Sequence, residues 1–214
     1  MILIDCLRKS WSDLLQELSV KDLKLGDEIF ANLIQSYSEP IRHYHNLEHI
    51  QEILYLLQQV KDISQNIPVL RLSAWFHDYI YDPQAKDNEE LSAIYAEQVL
   101  SKLNLDSQII YLITQIIHST KNHQPLIKEI DNLIFLDIDL AILGTNKARY
   151  FQYAQAIRQE YSHLDNRDYQ SGRTKVLNRF LTKQRIYYTD YFHHRLETTA
   201  RKNIQAEIKL LNNN

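Results

Sequence analysis

Glycine and proline are scarce in this chain. Three glycines and four prolines in 214 residues leave few places for tight turns or linkers, which disfavours a fold of many short strands. The single cysteine, Cys6, excludes an internal disulfide. Also missing is any run near the roughly 18 uninterrupted apolar residues that a membrane span needs, and Met-Ile-Leu-Ile-Asp-Cys at the start lacks the apolar core of a signal peptide. Neither sign of charge dominates: 24 Lys and Arg stand against 27 Asp and Glu, a formal net charge of -3. No general attraction to nucleic acid or to a membrane is therefore expected, and any phosphate site must be local. These absences predict a soluble chain in a reducing, cytoplasmic setting.

What is present is helical patterning. With 44% hydrophobic residues the chain can build one substantial core, so one all-α domain over 1–214 is expected. Leu7, Trp11, Leu14, Leu15 and Leu18 form a first apolar stripe, and Gly26 is expected to break it, with Asp27 capping a second helix that Pro40 stops. Asn46 is suited to cap a helix through Ile50, Ile53, Leu54 and Leu57, which leaves His45 just outside and His49 in the first turn. Pro68 opens a helix expected to run through Trp75, Phe76 and His77-Asp78 as far as Tyr81. Further helices are expected from Asp87 to Leu103, from about Ser107 to Ile117, from Ile130 to Leu143 with Gly144 as C-cap, and over about 147–161, 172–181 and 191–211.

Within this pattern the chemistry concentrates between Arg42 and Asp78. His45 and His49 are four apart, a spacing that can turn two imidazoles toward one space. His77-Asp78 adds an imidazole and a carboxylate inside an apolar stretch, where an ionised aspartate is costly unless paired or metal-bound. Divalent metals that activate water are held by such groups, and His49, His77, Asp78 and Asp139 would make a suitable set. A lone histidine or aspartate is more often a surface residue, a cap or an ion-pair partner; the adjacency of two such groups downstream of a His-rich turn carries the reading. A zincin-type protease is disfavoured, because Asn46 rather than Glu follows the first histidine.

The order His49, His77-Asp78, Asp139 on an all-helical chain resembles the HD superfamily of metal-dependent phosphohydrolases. Tyr44-His45-Asn46-Leu47-Glu48-His49 also resembles the corresponding motif of cyclic nucleotide phosphodiesterases. The wider run, with Phe76-His77-Asp78, Tyr81-Asp82-Pro83, Asp87-Asn88-Glu89-Glu90 and Phe135 to Gly144, is similar to a bacterial branch of predicted HD phosphohydrolases. The similarity spans about Tyr37 to Arg201, with the motif core at about 37–145. It implies a single HD-type domain that hydrolyses a phosphoester of a small molecule, such as a nucleotide, by water activated on a divalent ion (Mn, Mg, Fe, Co, Ni or Zn). His49, His77, Asp78 and Asp139 would be ligands, Asp78 would also orient the nucleophile, and His45 would act as general acid.

Two points stay open in the sequence. The Arg-x-x-His pattern of many HD proteins would align Arg42 with His45 and make His45 the ligand; Ile53 and Leu57 follow His49 in the register of a ligand-bearing helix and favour His49. Asp137 competes with Asp139, and the Leu that follows Asp139 favours the latter. His118 and His123 are candidates for a second metal or the substrate, Glu48 for steadying a histidine, and Arg173 for a phosphate contact. A nucleotide-sensing module without catalysis and a di-iron HD oxygenase are the alternatives, and a homo-oligomer is compatible with either.

Overall fold

The computed structural model describes residues 2–213. Among them the ordered elements are all helical. They are α1 (Ile2–Glu17), α2 (Leu23–Tyr37), α3 (Leu47–Gln59), α4 (Ile67–Phe76), α5 (Asn88–Lys102), α6 (Ser107–Thr120), α7 (Ile130–Asp139), a 3-10 turn (Ala141–Gly144), α8 (Lys147–Glu160), α9 (Asn166–Thr182) and α10 (Asp190–Asn213). No helix among the described residues is long and apolar enough to cross a membrane. The chain divides into two compact units, Met1–Phe135 and Leu136–Asn214, and α7 runs unbroken through the division.

The first unit is built around α4. Every residue from Val69 to Phe76 is buried, including Arg71, which is paired with Glu17 and the Ser10 carbonyl, and a helix buried on all sides belongs in a core. It packs against α1, α3, α5 and α6. Trp75 meets Trp11 and Phe30 edge-on at 5.7 and 5.8 Å, and Trp11 meets Phe76 at 6.3 Å, which fixes α1 and α2 on the same core. Asn66 caps α4 by accepting from the Val69 amide, and Asp131 takes the amides of Gln65 and Asn66 just before it.

Two expectations change here. Gly26 does not break a helix; it lies inside α2, capped at Asp22. A Cβ at Gly26 would run into Leu15 Cδ1, and Trp11 Nε1 donates to the Gly26 carbonyl at 3.0 Å, so this glycine serves the close approach of α1 and α2. The other change is the end of α4, which stops at Phe76 rather than Tyr81. The Tyr79 amide bonds the Phe76 carbonyl three residues back, and the Ile80 amide takes Ser92 Oγ in place of that carbonyl, which ends the helical ladder. The carbonyls of Asp78 and Tyr79 beyond it accept from Arg42.

The shortage of glycine shows at the helix ends. Ser19, Asn104 and His123 adopt positive φ of 56°, 58° and 49°, the left-handed cap that glycine usually supplies. In each case the next amide bonds the carbonyl five residues back: Val20 to Leu15, Leu105 to Leu100 and Gln124 to Ser119. The backbone of His123 therefore closes α6.

In the second unit α10 packs on α8, α9 and the 3-10 turn. Asn203 Nδ2 donates to the carbonyls of Leu143 and Thr145, and the Tyr187 hydroxyl donates to that of Leu140, so side chains satisfy the groups freed where α7 tightens. The expected helix to Leu143 is thus α7 to Asp139 followed by a 3-10 turn. Gly144 is not a left-handed cap, since no glycine has positive φ among the described residues. A Cβ there would stand 2.5 Å from Leu196 Cβ and 3.1 Å from its Cα, which makes contact with α10 the reason for glycine. α9 begins at Asn166 behind an Asp165 cap, not at Gly172, which is an exposed interior residue of the helix.

These contacts separate the glycines experimentally. Gly144→Ala should cost about 1–3 kcal/mol through backbone overpacking. Gly172→Ala, with nothing within 4 Å of its Cβ, should add about 0.5–1 kcal/mol. Urea unfolding of both variants checks the opposite signs.

Candidate metal centre

The site starts at the cap of α3. Asn46 Oδ1 accepts from the amides of Glu48 at 2.9 Å and His49 at 3.4 Å, while its Nδ2 donates to the His43 carbonyl. That cap holds His49 in the first turn, 3% exposed, and leaves His45 outside the helix. The His45 ring lies 4.5 Å from Tyr81 and 5.1 Å from Tyr44, with its centroid 6.0 Å from that of His49.

Arg42 joins this turn to the HD pair. Its guanidinium, with a side chain only 1% exposed, donates to the carbonyls of His45 at 3.2 Å, Asp78 at 2.7 Å and Tyr79 at 2.8 Å, and to Ser36 Oγ at 2.9 Å. It also lies over the rings of Tyr37 and Tyr81. Five fixed donors suit this task, which a lysine could not perform. The Arg42-x-x-His45 pattern is thereby occupied as a clamp on two backbone segments.

His77 follows the last turn of α4, 1% exposed. Its Nδ1 lies 3.1 Å from the Ala74 carbonyl, an acceptor only, so Nδ1 carries a proton. Nε2 in turn stands 3.1 Å from Asp78 Oδ2. A nitrogen lone pair facing a carboxylate oxygen repels it unless a proton or a cation lies between them. Asp78 is not engulfed by apolar residues as the expected longer helix would require; its side chain is 18% exposed.

α7 brings Phe135 edge-on to His77 at 5.5 Å, and Asp139 is the last residue of that same helix. His49, His77 and Asp139 each offer one ligand atom, and these atoms all lie within 4.8 Å of one another. Two imidazoles and a carboxylate are a donor set that could hold a divalent ion, with the side chains closing to the roughly 3–4 Å separations that donors at about 2.1 Å from one cation require. Asp78 stands beside this group through its contact with His77.

Asp137, two residues from Asp139, is engaged differently. One oxygen accepts from the Tyr188 amide at 2.6 Å; the other accepts from the Thr189 amide at 2.7 Å and its hydroxyl at 2.6 Å. Burial pushes its pKa up to about 6, and those three donors oppose the shift without cancelling it. It holds the segment before α10.

The remaining candidates separate. Glu48 is exposed, and His118 is half-buried in the last turn of α6. Neither His118 nor His123 belongs to the three-residue group. Arg173 is directed away from a role on phosphate: its Nε and Nη2 donate to Glu207 at 2.8 and 3.2 Å and its Nη1 to the Tyr153 hydroxyl at 3.3 Å, with 8% of the side chain exposed. Its sequence offered no sign of this, because Glu207 is 34 residues away.

Glu89 is the residue that sequence reasoning passed over. Asn88 bonds the amide and carbonyl of Asp82, and Ser92 bonds Ile80, so the first turn of α5 is fastened to the segment that follows Asp78. Half-buried there, Glu89 has its pKa raised by burial and further by the charge of Asp78. Its place in Asp87-Asn88-Glu89-Glu90 was read only as favourable charge at a helix start, where any acidic residue would fit.

Comparison with protein-family models, with curated proteins and with solved structures gives no match.

The two buried polar clamps can be tested separately. Arg42→Lys should destabilise the protein by about 2–4 kcal/mol, since the carbonyls of His45 and Asp78 lose the guanidinium donor and that of Tyr79 keeps only Ser36 Oγ. Asp137→Asn should cost about 2–3 kcal/mol, because an amide presents only one acceptor to three donors, yet leave cation affinity within about twofold. Denaturant unfolding and cation titration of the same samples read both effects.

Proposed function

We propose that this chain is a metal-dependent phosphohydrolase of the HD type, acting in the cytoplasm on a phosphoester of a small molecule such as a nucleotide. The observation that carries the reading is the meeting of His49, His77 and Asp139 ligand atoms within 4.8 Å, with Asp78 against His77. These four residues would hold the cation. A divalent ion there would bring the pKa of water toward neutrality and offset charge on the phosphoryl oxygens.

The chain's own groups supply the rest. The His77 Nδ1 bond to Ala74 orients the ring and keeps its other nitrogen basic. Asp78, partly open to solvent beside that nitrogen, is suited to orient the attacking water. His45 is outside the helix, half-buried and held at its carbonyl by Arg42, so its ring is positioned without being among the grouped donors. That position suits a proton donor to the departing oxygen, a role served by an imidazole that titrates near neutral pH.

The test is metal content and turnover of purified protein with Mn, Mg, Fe, Co, Ni and Zn against nucleotides and simple phosphoesters. His77→Ala and Asp139→Asn should each lower bound metal at least about tenfold with the helical circular dichroism retained. Unchanged metal content in both would contradict the proposal. In His45→Ala the metal should stay, while alkyl phosphoesters slow by about 100-fold and activated aryl phosphoesters far less. Equal slowing of the two substrate classes would remove His45 from that role.

A further inference from the structure

His45 lies outside α3, and the bond from Arg42 to its carbonyl fixes the backbone of the turn but not the direction of the ring. A proton donor works only within hydrogen-bond reach of the departing oxygen, and a displacement of about 1 Å can cost about 100-fold in rate. Some contact must therefore set the imidazole itself. Two aromatic rings make such contacts. Tyr44 meets it edge-on, with centroids 5.1 Å apart and planes at 81°. Tyr81 meets it closer and flatter, at 4.5 Å and 30°, near the offset stack that π-systems favour.

Tyr81 is itself held on both flanks. Before it, Ser92 Oγ takes the Ile80 amide at 3.0 Å; after it, Asn88 accepts from the Asp82 amide at 3.1 Å and donates to the Asp82 carbonyl at 2.8 Å. Both partners lie on α5, so the backbone at Tyr81 is fastened to one rigid helix. The Arg42 guanidinium lies over the Tyr81 ring at 5.2 Å and also bonds the carbonyls of His45 and Tyr79. One cation thus joins the tyrosine ring, the segment that carries it and the turn that carries His45. Tyr44 is next to His45 in the chain and moves with the same turn, whereas Tyr81 offers a surface from a separate, anchored segment. We infer that Tyr81 is a positioning residue for the proposed hydrolysis, its ring face holding the His45 imidazole in the attitude from which it protonates the departing oxygen. This role rests on the reading of His45 as the proton donor.

The test compares two substrates of the full chain loaded with Mn²⁺. Adenosine monophosphate loses an alkoxide that needs a proton, and para-nitrophenyl phosphate loses a phenolate that does not. Tyr81→Leu and Tyr81→Met keep apolar bulk but remove the ring face. Their ratio of alkyl to aryl turnover should fall at least about fivefold, in the direction set by His45→Ala, with bound metal unchanged. Tyr81→Phe keeps the face and should hold the ratio within about twofold of native. A merely loosened structure would slow both substrates alike. A smaller fall in the Leu and Met variants while His45→Ala lowers the ratio, or a fall beyond about twofold in Tyr81→Phe, would overturn the positioning role and leave the proposed function standing. Loss of metal or of the fold in both Leu and Met variants would also overturn it, by making the ring a general structural support. A native chain that turns over neither ester, or a ratio that His45→Ala leaves unchanged, would remove the reading of His45 and the role of Tyr81 with it.

Discussion

A guanidinium removed from water must find acceptors for its donors, and Arg42 finds them in the backbone of two separate segments. The His45 carbonyl lies before α3, and those of Asp78 and Tyr79 lie after α4. Each of these carbonyls would otherwise be a loop group with no secondary-structure partner, so the arginine and the loops satisfy one another. One side chain therefore ties the histidine-bearing turn to the segment that follows α4.

The candidate centre shows how carboxylates of like appearance take different work. Asp137 receives three donors and is a structural anchor. Asp139, at the end of the same helix, presents a ligand atom to His49 and His77. Asp78 faces the basic nitrogen of His77, where a cation would turn repulsion into attraction. Glu89 feels the charge of Asp78 across the turn that Asn88 and Ser92 pin down. A cation bound beside Asp78 would offset the charge that Glu89 feels.

Much of the helical layout was legible in the sequence. Asn46 announced the start of α3, Pro68 that of α4, and the apolar stripes in between have the period of a helix packed on one side. What misled were residues whose meaning is set by distant partners. Gly26 and Gly144 read as punctuation, but Leu15 and Leu196 make them points of close contact. Tyr81 read as the end of α4 because nothing nearby shows that Ser92, on another helix, takes the amide of Ile80. Arg173 read as a phosphate contact because Glu207 lies on another helix. For the site, the motif spacing nominated His49, His77, Asp78 and Asp139. Their separation in space, and the different engagement of Asp137, are properties of tertiary packing that no local pattern encodes.

The account is tested most directly by X-ray absorption at the cobalt edge of protein loaded with one equivalent of Co²⁺. Two imidazole nitrogens at about 2.1 Å, with the remaining shell oxygen, is the predicted result, and one imidazole should be lost in His49→Ala. A shell made of oxygen alone, or one that His49→Ala leaves unchanged, would contradict the claim that these side chains hold a common cation.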